Sequence, residues 1–131
     1  MTDRPPRLVA DASAIAGFVR GSAAVGVLLA EVDAEGGTVL IPYACLVEAA
    51  GNVAVAGGAP YIGILLGHPA TTVVVDQAED WPMMAGIRSM LGVYEPAAAA
   101  WAAVTAGVDV LTRYPQLYAG LGEDITYPFT D

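Results

Sequence analysis

Leu8-Val9-Ala10-Asp11-Ala12-Ser13-Ala14 is the stretch on which the fold turns. A short apolar run delivers an aspartate just before small, helix-compatible residues, which reads as a buried strand over 8–11 ending in a carboxylate at the mouth of a sheet. Residues 1–7 are polar and proline-containing and read as a leader into that strand.

Downstream, strand and helix signals alternate. A helix is expected over 13–19, stopping near Gly21, and Ser22 can cap a second whose Val25, Leu28, Leu29 and Val32 recur at helical spacing before Gly36 and Gly37. Thr38–Ile41 is β-rich, and Pro42 suits the first turn of a helix carrying Glu48. A short helix near 60–67 precedes a β-branched strand over 71–75, closed by Asp76. Pro82 starts a helix whose Met83, Met84, Ile87, Met90 and Leu91 form one stripe, read as packing. Glu95-Pro96 opens an alanine-rich helix over 96–106 ended by Gly107, followed by a strand over 108–112, a helical turn at 115–121 and an edge strand at 125–127. Such alternation implies one α/β domain over 1–131, with a mostly parallel sheet of four to five strands covered on both faces. In sheets of this kind ligands bind beyond the carboxyl ends of the strands, which is where Asp11, Glu95 and Thr112 should gather.

Composition narrows the chemistry. The chain has 131 residues, enough for a single core, and an apolar share of 56%, above the usual range for such domains. Part of that excess is expected to meet a partner or a second copy. Fourteen acidic residues face five basic ones, all arginine, for a net charge of −9, which repels nucleic acid at long range. Any nucleic-acid chemistry therefore needs local arginines, metal ions or a basic partner. Residues 49–75 carry no Asp, Glu, Lys or Arg, yet glycines and prolines interrupt them too often for a lipid-facing helix. The single Cys45 cannot form an internal disulfide and no signal-peptide pattern opens the chain, so a cytoplasmic location is expected.

Carboxylates are the remaining catalytic currency. His68 has no second histidine to join in a zinc site or a triad, Cys45 lies among apolar neighbours, and no glycine-rich phosphate loop follows a strand. Asp11 can cap the following helix or serve a site, and Glu48 can point to solvent or to the same site. Glu95 at a helix start favours the helix dipole with or without chemistry. Asp76, Glu79 and Asp80 read as a solvated, helix-capping cluster, and Asp109 as a polar strand entrance. Carboxylates gathered at close range require a shared cation, and hard ions such as Mg²⁺ or Mn²⁺ take oxygen ligands. A site of that kind suits phosphodiester hydrolysis.

The order Leu-Val-Ala-Asp11-Ala-Ser13, Ile41-Pro42 leading to Glu48, an alanine-rich helix, then Val-Leu-Thr112-Arg113 resembles the PIN-domain family, especially the small bacterial VapC-type toxins, over residues 8–127. The resemblance implies a three-layer α/β/α sandwich, often a homodimer, with Mg²⁺- or Mn²⁺-dependent endoribonuclease activity restrained by an antitoxin protein. It matches Asp11 and Glu48 to the family's first two acids and Thr112 to the hydroxyl residue that orders the acidic site. The family's third acid falls on Pro96, with Glu95 one residue early, and its fourth acidic or amide position falls on Tyr114. Asp11, Glu48 and Glu95 are thus the expected metal ligands, with Arg113 and Arg20 steering phosphate. The alternative is a catalytically impaired PIN-like protein that binds or regulates a partner, through a groove accepting a basic helix.

Overall fold

The computed structural model describes residues 4–131. Among these residues five strands form one sheet: β1 (Pro6–Ala10), β2 (Thr38–Pro42), β3 (Thr71–Val74), β4 (Asp109–Thr112) and β5 (Thr126–Pro128). Their order is β3-β2-β1-β4-β5 and every pairing is parallel. Six α-helices connect them: α1 (Ala12–Val19), α2 (Ala23–Ala34), α3 (Tyr43–Ala54), α4 (Ala59–Leu66), α5 (Trp81–Leu91) and α6 (Tyr94–Ala106), with 3₁₀ turns at Ala78–Asp80 and Pro115–Leu121. The three-layer α/β/α architecture expected from the alternation is therefore present.

Central strands are apolar runs because both of their faces are covered. Ala10, Val39, Ile41 and Leu111 meet Ile15 of α1, Val25 and Leu29 of α2 and Leu65 of α4 on one side. Neighbours along a strand point the opposite way, so Val9 and Val110, both fully buried, face the other layer. There α6 crosses β1, β2 and β4, and it can lie close because Ala97, Ala99, Ala100 and Ala103 add no bulk and are fully buried. Strand order reverses between β1 and β4, which places the crevice of this fold at the ends of those two strands.

Several boundaries differ from the sequence reading. β1 begins at Pro6, inside the stretch read as a leader, since Pro6 and Leu8 register against Thr38 and Val39; residues 1–3 of that leader lie outside the described residues. Asp11 follows β1 as the cap of α1 instead of ending the strand. α6 begins at Tyr94, so Glu95 and Pro96 lie inside its first turn, where a proline costs no helical hydrogen bond. The methionine stripe is only partly core: Met84 and Ile87 are buried, whereas Met83 and Met90 are more than half exposed, because α5 packs mainly on α6 and the 3₁₀ turns beside it. Among the described residues no helix is long and apolar enough to cross a membrane, and α1 and α2 meet at 103°.

Candidate functional site

Asp11 directly follows β1 as the cap of α1, with extended backbone, and is 1% exposed. One carboxylate oxygen, Oδ1, accepts the Ala14 N–H at 3.1 Å and the Ser13 hydroxyl at 2.6 Å; the other, Oδ2, accepts the Tyr118 hydroxyl at 2.8 Å. The capping role considered for Asp11 is thus real. Three donors leave the carboxylate with spare acceptor capacity, since it offers about four lone-pair positions. Burial, then the neighbouring charges of Asp11 and Glu95, pushes the Tyr118 phenol far above its ordinary range, so the hydroxyl remains a donor. Ser13 extends the network: its Oγ accepts the Arg113 N–H at 2.9 Å and lies 3.4 Å from Thr112 Oγ1. Thr112, fully buried at the end of β4, accepts the Tyr114 N–H at 3.0 Å, while the Arg113–Ser13 bond ties the exit of β4 to the start of α1.

Glu95 reaches across from the first turn of α6, and its Oε2 accepts the Ala12 N–H at 2.9 Å. That N–H is one of the orphan donors of the α1 N-terminus, so two acids from distant segments serve one helix end. Glu95 is half-buried, and its carboxyl is raised above its ordinary range, first by burial and then by the nearby charges of Asp11 and Glu48. The Ala12 N–H and the Cys45 thiol pull the other way. Cys45 itself is fully buried, 3.6 Å from the Glu95 carbonyl, and burial pushes its thiol up, which leaves it unreactive. Glu48 is exposed on α3, and its charge is felt at Glu95.

Asp11, Glu48 and Glu95 line one polar cavity of about 460 Å³, shared with Ser13, Arg20, Asn52, Arg113 and Tyr114. Thr112 lies beneath it. Pro96, at the expected third acidic position, is fully buried, and Tyr114, at the fourth, lines the rim. Of the two arginines, Arg20 is exposed at the cavity edge, while the Arg113 guanidinium pairs with Asp131 at 2.8 Å and stacks 5.0 Å from the Phe129 ring centroid. Among the described residues no three Asp, Glu, His or Cys side chains are drawn together into a closed ion-binding cluster. His68 stays structural, its Nδ1 accepting the Ala70 N–H.

Tyr118, Asn52, Val93 and Leu117 were not foreseen from the sequence. Tyr118 lies in a turn 107 residues from Asp11, and neither charge nor spacing marks it. No known protein-family model matches this chain, and no curated protein is detectably similar to it in sequence.

Proposed function

We propose that this protein is a Mg²⁺- or Mn²⁺-dependent endoribonuclease of the VapC toxin type. The observation that carries the reading is the shared cavity at the β1 and β4 ends, lined by Asp11, Glu48 and Glu95. Burial, and then the charges of Asp11 and Glu48 from two other elements, raise the proton affinity of Glu95 there, a strain that a hard cation relieves. The donor set fits such an ion. Mg²⁺ keeps several of its waters and is held by one or two carboxylates, so a closed cage is not required. Glu95 and Glu48 would hold it with Asp11, and the bound ion supplies an activated water and charge neutralisation at the phosphate.

The rest of the chemistry belongs to the chain. Tyr118, Ser13 and the Ala14 N–H fix the Asp11 carboxylate, and the Arg113 N–H bonded to Ser13 Oγ holds the exit of β4 against α1 so that the acids keep their spacing. Arg20, on the cavity edge, is the residue placed to draw in a phosphate against the net charge of −9. A basic antitoxin-like protein would suit the same acidic cavity as a restraining partner.

A second reading is favoured by a different observation. All three hydrogen bonds to Asp11 come from the protein, and the four-acid pattern is interrupted by Pro96 and Tyr114. On that reading the cavity binds a basic protein segment and performs no catalysis. Calorimetric titration with Mn²⁺ of the wild type, Asp11→Asn and Glu95→Gln separates the two. Binding by the wild type that is lost in both variants, followed by metal-dependent cleavage of an RNA pool, supports the nuclease. Absence of Mn²⁺ binding in the wild type rejects it and leaves the binding protein.

A further inference from the structure

Tyr114 stands where the resemblance expects an acidic or amide residue, and a neutral phenol is a poor ligand for a hard ion. Its backbone is nonetheless held on both sides: the N–H is donated to Thr112 Oγ1 at 3.0 Å, and the carbonyl accepts the Leu117 N–H at 3.0 Å. The ring is not spent on the protein. It is 46% exposed at the rim of the acidic cavity, and among the described residues its hydroxyl has no hydrogen-bond partner. Val93, just before α6, and Leu117, in the 3₁₀ turn, line the same cavity and are also well exposed. Large apolar side chains from two loops thus border the acids with uncovered faces.

Charge limits what else can hold RNA there. On the nuclease reading the substrate has to bind a chain of net charge −9. Of the two cavity arginines, Arg113 is paired with Asp131, and among the described residues Arg20 alone lines the cavity without an ion pair. One guanidinium neutralises about one phosphate, and the bound ion serves the phosphate being cleaved, so contacts to the RNA backbone cannot carry the affinity. Bases can. A base stacked on an aromatic side chain is held whatever the surface charge, and a ring whose backbone is already fixed loses little freedom on binding.

We infer that Tyr114 is the base-stacking residue of this site: an unpaired purine beside the cleaved phosphodiester lies on its ring, with Val93 and Leu117 completing the apolar contact. The inference rests on the nuclease reading and adds to it a preference among substrates. A purine covers more of a phenol ring than a pyrimidine does, and stacking strength sets such preferences where no base edge is read. Tyr114 touches the substrate and leaves the ion to Asp11, Glu48 and Glu95, so base binding and metal binding separate in experiment.

Fluorescence anisotropy with end-labelled pentaribonucleotides, in Ca²⁺ and again in EDTA, tests it. The wild type should bind UUAUU more tightly than UUUUU. Tyr114→Ala should weaken UUAUU at least about fivefold and erase the difference between the two, with unchanged circular dichroism and unchanged Mn²⁺ affinity by calorimetry. Tyr114→Phe, which keeps the ring, should keep both the affinity and the preference. Tyr127→Ala removes a ring of the same exposure, 45%, from outside the cavity and should change nothing. Absent or equal binding of the two oligonucleotides, wild-type affinity in Tyr114→Ala, or a loss in Tyr114→Phe as large as in Tyr114→Ala overturns the inference, and leaves the nuclease reading standing where the wild type binds Mn²⁺. A wild type that shows the purine preference without binding Mn²⁺ overturns the nuclease reading instead and keeps Tyr114 as a base-binding residue.

Discussion

Tyr118 and Asp11 lie 107 residues apart, yet their hydrogen bond decides how the first acid of the cavity is held. Tyr118 is 1% exposed, so removing its hydroxyl strips a partner from a buried carboxylate that water cannot easily replace. Tyr118→Phe is expected to cost about 2 kcal/mol in urea unfolding, the range for a hydrogen bond to a charged group. Glu95 makes a prediction of opposite sign. Its carboxyl is raised from its ordinary 4.5, mainly by burial and further by Asp11 and Glu48, so the folded chain holds that proton more tightly than the unfolded chain. The resulting stabilisation is complete below pH 4.5 and is lost as the pH rises through the higher folded value. Glu95→Gln keeps an acceptor for the Ala12 N–H without the charge. Its unfolding midpoint should therefore vary less than that of the wild type between mildly acidic and neutral pH, and should lie higher at neutral pH.

At the scale of elements, the residues that define the sheet announce themselves and the residues that finish the site do not. β1, β2 and β4 are apolar runs because both faces are covered, and Ser22 and Gly107 mark helix ends by capping and by a left-handed backbone, φ 72° at Gly107. Asp11, Glu48 and Glu95 could be picked out as carboxylates among small and apolar residues. The α6 start was displaced because Glu95-Pro96 suits a helix boundary and a first turn equally well. The exposure of Met83 and Met90 was hidden for another reason: periodicity shows that a face is apolar, not what covers it. Tyr118 is set by packing and by its long-range bond to Asp11, neither of which a local pattern of residues marks. Its 3₁₀ turn is seated on α5 so closely that a Cβ at Gly120 would lie 2.5 Å from the Met90 carbonyl oxygen, a backbone atom that cannot swing aside. Gly120→Ala should thus lift the turn from α5 and destabilise the chain by about 2 kcal/mol. If the shift also pulls Tyr118 from Asp11, the double variant with Tyr118→Phe loses less than the two single changes together, a coupling read from the same urea curves.

For the whole molecule, the net charge of −9 and the apolar share of 56% act against each other. Burial favours the compact chain, while fourteen acids repel one another across its surface and concentrate three of their number at one cavity. Two kinds of cation effect follow and can be told apart. Monovalent salt screens the surface generally and should raise the thermal midpoint gradually, whatever the state of the cavity. An ion held at the cavity stabilises only the folded chain, by about 2.7 kcal/mol when it stands at a hundredfold excess over its Kd. Melting curves in Mn²⁺ and in KCl at matched ionic strength are therefore expected to diverge, with the higher midpoint in Mn²⁺. Asp11→Asn and Glu95→Gln should bring the two curves together, whereas Glu35→Gln, an exposed change that removes the same charge at the far end of α2, should leave them apart. Coincident curves in the wild type would mean that Mn²⁺ acts on the acidic surface as a whole, and the cavity would then be a binding surface for basic groups instead of a metal centre.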